Sequence, residues 1–169
     1  MTMRLLGDIA AIAACLALGS CDTPTPTDPG NRLYASLAQQ NRSVDAAGAS
    51  VLLNDYRRSL GLAPVVVDPA LQRFAEAQLD KVAGSSSLKI PGGLSVKQRL
   101  AAAGIQADTA SENVSAGYYS MSDAFSGWRG SQPNDATLRL AGAKRMGIAT
   151  RYMPGSKYAV YWVLVMAGG

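Results

Sequence analysis

The stretch KYAVYWVLVM, residues 157–166, decides the architecture. Side chains alternate along an extended backbone, so Tyr158, Val160, Trp162, Leu164 and Met166 are expected on one face. Ala159, Tyr161, Val163 and Val165 are expected on the other. Neither face is polar. Such a strand belongs in the centre of a sheet that is covered on both sides. MGIATRY (146–152) reads as a second strand, joined to the first by the turn residues PGSK (154–157).

Upstream the period changes to that of helices. SVLLNDYRRSL (50–60) places Val51, Leu52, Tyr56 and Leu60 near one face, with Gly61 in the C-terminal stop position. LAPVVVD (62–68) is a short extended link. Asp68 and Pro69 then supply an N-cap and a first-turn proline. The helix they open carries Leu71, Phe74, Ala75, Gln78, Leu79 and Val82 at helical spacing, a core-facing stripe with one polar member. The loop GSSSLKIPGG (84–93) ends it. Ser95 and Gln98 form a capping box for a third helix that closes at Gly104, and Met121–Gly130 reads as a short fourth. Helices in the N-terminal part and a doubly covered, mixed or antiparallel sheet at the end predict an α/β fold, a three-layer α/β/α sandwich.

The chain has 169 residues, 48% of them hydrophobic and 17% charged, enough for one domain with a packed core. A net charge of +4 is spread over scattered cations such as Arg57, Arg73, Lys97, Arg129, Lys144 and Arg151. No basic run tracks a phosphate backbone, so nucleic acid is not an expected partner. The only cysteines are Cys15 and Cys21. MTMRLLGDIAAIAACLALGSC has a weak basic start at Arg4 and an apolar run from Ile9 to Leu18, too short to span a bilayer comfortably and proportioned as an export signal. Leu18-Gly19-Ser20-Cys21 resembles a bacterial lipobox. That resemblance implies removal of residues 1–20, acylation of Cys21 and a partner in the lipid bilayer, with an envelope location facing the periplasm or exterior. DTPTPTDPGN (22–31), rich in Pro and Thr, favours an extended, solvated chain. Residues 21–42 are read as lipidated cysteine and tether, and residues 43–169 as the domain. That domain contains no cysteine and must be stabilised by packing.

Several segments in order are similar to the bacterial CAP superfamily, also called SCP-like extracellular domains. They are LLNDYRRSLGLAPVVVDPALQRFAEAQLDKVA (52–83), RLAAAG (99–104), ENVSAG (112–117), AFSGWRGS (124–131), GIATRY (147–152) and YAVYWVLVMAG (158–168). The similarity covers about residues 49–167, and it implies the same α/β/α sandwich. It also implies a pocket that in the family holds two histidines and two acids and in several members binds a divalent cation. Carried across, the family glutamate before asparagine falls on Glu112. A helix-two histidine common in bacterial members falls on Gln78, the histidines of two further family segments fall on Leu88 and Asn134, and the arginine after the last of them falls on Asp135. Asp123 is the nearest candidate for the second acid.

The sequence contains no histidine at all. Imidazole is a neutral nitrogen donor suited to zinc-like ions, Leu88 donates nothing and Asn134 offers a carbonyl oxygen. A calcium site would need six or more oxygens, which this loop does not collect. No metal and no cofactor are therefore expected. Serines abound, but a nucleophilic triad lacks its base and no Gly-x-Ser-x-Gly elbow is present. The remaining candidates for a ligand groove are Glu112, Asn134, Gln78, Asn113 and Tyr118. Glu112 can equally be structural, Asn134 a turn residue within Pro133-Asn134-Asp135, and Gln78 a satisfied buried amide. Trp128 reads as core. The expected function is a membrane-anchored, non-catalytic module that binds a small apolar or envelope-derived ligand or another envelope protein. The alternative is a carboxylate-dependent cell-envelope hydrolase pairing Glu112 with Asp123, Asp108 or Asp135.

Overall fold

The structure, a computed structural model, describes residues 29–169. The expected signal peptide (1–20), Cys21 and the first part of the tether lie outside the described residues. Six helices and four strands follow in the order α1 (Pro29–Tyr34), α2 (Ala46–Ser59), β1 (Val66–Val67), α3 (Pro69–Val82), α4 (Val96–Ala102), β2 (Thr109–Ala116), α5 (Met121–Arg129), α6 (Gln132–Leu138), β3 (Arg145–Tyr152) and β4 (Val160–Gly168). The sheet order is β1-β3-β4-β2. β4 runs antiparallel to both neighbours, and β1 adds a short parallel pair to β3.

The C-terminal strand is central, and all nine of its residues are buried. Val160, Trp162, Leu164 and Met166 pack with Met146 and Ile148 against α2, α5 and α6. Tyr161, Val163, Val165 and Ala167 pack with Ala149 against α3 and α4. This is the three-layer α/β/α sandwich with a mixed sheet. β1 is only two residues long, so the side-chain amide of Gln72 on α3 takes over its pairing role. It donates to the Ile148 carbonyl at 2.7 Å and accepts from the Ile148 N–H at 3.1 Å.

The strand begins two residues later than its apolar run suggests. Val160 N donates to Tyr158 O at 2.7 Å around Ala159, whose φ is +61°. That three-residue turn breaks the pleat. Tyr158 therefore lies with the α3–α4 layer, stacked edge-on to Tyr161 at 6.0 Å, and not beside Val160 as alternation predicts.

Other boundaries differ for local reasons. The α3 stripe is buried as read, with the Asp68 cap accepting from Ala70 N and Leu71 N. The Ser95–Gln98 capping box is also present. α2 starts earlier, at Ala46 behind the cap of Asp45, because its first turns are alanine and glycine with no apolar period to detect. Its buried face is Ala49, Leu53 and Arg57, with Leu52 and Tyr56 flanking. Val51 and Leu60, expected inward, are exposed. QPND, read as a turn, opens α6, since a first-turn proline costs a helix no hydrogen bond. Residues 29–42, assigned to the tether, include α1 and the buried Leu37, whose N–H bonds to Tyr119 O.

Arg57 is fully buried and faces no carboxylate. Its guanidinium donates to the carbonyls of Ala63 (2.9 Å), Leu138 (2.8 Å) and Leu140 (3.2 Å), binding the link after α2 to the C-terminal end of α6. Burial pushes its pKa below the ordinary arginine value, while the helix-end carbonyls favour the cation.

Two substitutions probe this frame. A Cβ at Gly147 would fall inside the radius of the Leu71 carbonyl, backbone against backbone. Gly147→Ala is expected to lower unfolding free energy by about 2–3 kcal/mol. Ala159→Gly is expected to raise it by about 1 kcal/mol by relieving a left-handed alanine. Urea denaturation of both variants checks the pair of signs.

Candidate functional site

β2 is an edge strand, and its alternation divides the candidate residues. Glu112 lies opposite Val165 and faces the α3–α4 layer, whereas Asn113 lies opposite Leu164 and faces α5–α6. Glu112 and Gln78 are brought together on the first side. Asn113, Asn134 and Tyr118 lie on the second. The single groove expected to hold all five is therefore not formed, because adjacent residues of a strand point to opposite faces.

What joins Glu112 to Gln78 is Arg99 of α4. One guanidinium nitrogen bonds to Glu112 Oε1 in an ion pair. The other terminal nitrogen donates to Gln78 Oε1 at 2.8 Å, and Nε donates to Leu94 O at 3.2 Å. Lys81 Nζ also donates to Gln78 Oε1, at 3.2 Å. The guanidinium carbon stands 6.0 Å from the centre of the Phe74 ring. Arg99 is only 8% exposed and Glu112 19%. Gln78 is thus a satisfied buried amide, and the carboxylate is bound by an internal cation.

Arg99 escaped the sequence reading, where it appeared only within RLAAAG, because a cation among alanines carries no local signal of burial.

On the other face, Asn113 is buried and donates to the Asn134 backbone carbonyl at 3.0 Å. Ser111 and Thr137 share a hydroxyl bond of 2.8 Å. These contacts dock α6 onto β2. Tyr118 packs on the core, its carbonyl accepts from Trp162 Nε1 at 2.9 Å, and Tyr119 is the member of the pair that faces solvent. Trp128 is core: it is fully buried, donates to Ser115 Oγ at 2.9 Å and meets Trp162 edge-on at 5.8 Å. Leu88 is partly buried apolar packing. Asp123 caps α5 with Ser120. Asp135 accepts from Tyr56 Oη at 2.7 Å, which pushes the phenol's pKa above its ordinary value. Neither Asp123 nor Asp135 is bonded to Glu112, whose partner is Arg99.

The residues present do not fit the family's cation. Glu112 offers one oxygen already bound to a guanidinium, and Gln78 Oε1 is taken by two cationic donors. Glu112 Oε2 is buried without a partner, but one lone donor atom cannot hold an ion beside two positive charges. Among the described residues no three His, Cys, Asp or Glu side chains gather.

Beside this cluster runs a cleft of about 570 Å³ between α3 and α4, lined by Arg73, Phe74, Gln78, Lys81, Leu94 and Arg99 among others. Three cations and no acid line it.

Arg99→Met leaves Glu112 buried without its partner and is expected to destabilise the fold by about 3 kcal/mol. Adding Glu112→Gln removes the orphaned charge and should restore most of that loss, giving a coupling energy well above 1 kcal/mol in a double-mutant cycle. Zinc should leave the melting temperature unchanged. A site filled to a thousand times its Kd would add about 4 kcal/mol.

The comparisons with known proteins agree with this fold. A family model described as "CAP: Cysteine-rich secretory protein family" matches residues 52–166. An SCP-domain extracellular protein of Bacillus anthracis has a TM-score of 0.60 at 17% identity. A cysteine-rich secretory protein of Staphylococcus aureus has 0.58 at 18%. Each covers 73% of this chain, which spans only 40% and 38% of theirs. An outer surface protein of Borrelia burgdorferi has a TM-score of 0.63 at 14% identity, covering 75% of this chain and 97% of its own. No curated protein matches the sequence. Identities this low speak for the fold alone, but the family model spans most of the sequence, and the chain belongs to the CAP, or cysteine-rich secretory protein, family.

Proposed function

We propose that this protein is an extracytoplasmic CAP module, held to the bacterial envelope by acylated Cys21, that binds its ligand without transforming it. The observation that carries the reading is Arg99. A guanidinium is a permanent cation, and here it bonds both Glu112 and Gln78, two of the positions on which the family's pocket residues fall. One of the two Glu112 oxygens is committed to this ion pair, which supports a binding role over proton abstraction or attack on a substrate. Family relatives described as extracellular or as outer surface proteins support the envelope location.

The ligand class follows from the cleft between α3 and α4. Phe74, Leu94 and Ile105 offer apolar surface, and Arg73 and Lys81 are exposed cations on its α3 wall. An apolar body with one anionic group matches that arrangement, and its volume lies in the range of small-molecule sites.

The full chain carrying Cys21→Ser, titrated calorimetrically with decanoate, is expected to bind it and to bind decanol at least about tenfold more weakly, a difference of 1.4 kcal/mol. Arg73→Ala with Lys81→Ala should erase the preference. Turnover of peptide, peptidoglycan or ester substrates that Glu112→Gln abolishes would overturn the non-catalytic reading in favour of a carboxylate hydrolase.

A further inference from the structure

The exposed apolar side chains are not spread evenly. The large ones are Tyr34, Val51, Leu60, Val66, Leu94 and Tyr119. Three of the six surround α1. Tyr34 ends that helix and is 72% exposed. Val51 lies one turn beyond Gly48, where α2 passes close to Leu33 of α1. Tyr119 gives its carbonyl to Leu37 N at 2.7 Å, three residues beyond Tyr34. All three stand on the α1–α2–α5 side of the sheet. Leu94 stands on the opposite side, in the α3–α4 layer.

Charged groups near this patch include Arg32, Arg42, Asp45, the α5 cap residue Asp123 and, one turn beyond Val51 on α2, the exposed pair of Asp55 and Arg58. Asp45 is engaged twice, by Arg32 at 3.3 Å and by the first N–H groups of α2. Asp123 is engaged by Ser120. Arg42 donates one bond, of 3.4 Å, to Ser36 O and otherwise faces solvent. Exposed tyrosines beside free arginine are side chains suited to a bilayer interface, where the ring enters the headgroup layer and the polar end stays wet.

The chain that precedes α1 restricts what this patch can meet. Only seven residues separate Cys21 from Pro29, so Pro29 is the eighth residue after the cysteine. Eight residues of any conformation reach at most about 29 Å. An acyl group at Cys21 therefore keeps α1 within about one small-domain diameter of the bilayer. We infer that the Tyr34–Val51–Tyr119 surface is a membrane-docking face, which sets the protein down on the lipid headgroups and leaves the α3–α4 cleft open to the surroundings. The inference rests on the anchor proposed above, and it adds an orientation that the anchor by itself does not impose.

Depth-dependent quenching by brominated lipids tests it. The full-length, lipidated chain is reconstituted into phosphatidylcholine–phosphatidylglycerol vesicles as Tyr34→Trp, Tyr119→Trp or Leu94→Trp. The two native tryptophans are fully buried and give a constant background. Tyr34→Trp and Tyr119→Trp should lose emission in vesicles brominated near the headgroup and shift to the blue, while Leu94→Trp is unchanged. Equal quenching at all three positions, or none at Tyr34→Trp and Tyr119→Trp while the chain still sediments with vesicles, overturns the docking face and leaves the anchor standing. Failure of the chain carrying Cys21 to sediment with vesicles overturns both. A further variant, Tyr34→Ser with Tyr119→Ser, should release a reporter at Val51→Trp from the quencher without releasing the protein from the membrane.

Discussion

Burial of β4 on both faces is the constraint from which the rest of the structure follows. A strand with no polar side requires a helical layer above and another below, and it requires hydrogen-bonded strands on both edges. β2 and β3 satisfy the edges. α2, α5 and α6 cover one face, and α3 and α4 cover the other. The domain has no cysteine, so this packing carries the stability that disulfides provide in small secreted domains. The T-shaped pair of Trp128 and Trp162 fills the first layer, and Tyr161, bonded to the Ser85 carbonyl, reaches through the second.

The same sheet determines what the inherited pocket can become. Its edge strand presents Glu112 to one layer and Asn113 to the other, so the residues of this turn serve two separate purposes. On the α5–α6 side they are fasteners, through Asn113 to Asn134 and Ser111 to Thr137. On the α3–α4 side Glu112 meets Arg99, so its Oε1 is bound by an internal cation. Breaking such a pair leaves a buried charge, whereas keeping it contributes modestly. Arg99 is therefore better understood as a plug that shapes the cleft than as a source of net stability.

Much of the fold was legible because its signals are local. The α3 stripe of Leu71, Phe74, Ala75, Gln78, Leu79 and Val82 is buried as its spacing predicts, and the Asp68 and Ser95 caps bond as their residue types predict. Where the reading slipped, the signal was absent or ambiguous. The opening of α2 is alanine and glycine, without a period. Pro133 begins a helix as readily as a turn. A three-residue turn at Ala159 reverses a strand face with no glycine to announce it. Less of the candidate site was legible. Glu112 and Gln78 were named, yet their partner was not, because an arginine among alanines looks like any surface cation until another element is placed over it.

By itself the sequence determined the layers, the central strand, the caps and the absence of histidine, since each depends on residue type or on spacing within one element. Tertiary structure alone decided that Glu112 and Asn134 lie on opposite sides of a strand, that Arg99 binds Glu112 to Gln78, and that Arg57 ties α2 to the end of α6. The physical reason is the same in each case. These contacts join segments distant in the chain, and a side chain's direction at a sheet edge, or its burial beneath a helix, exists only once the elements have packed.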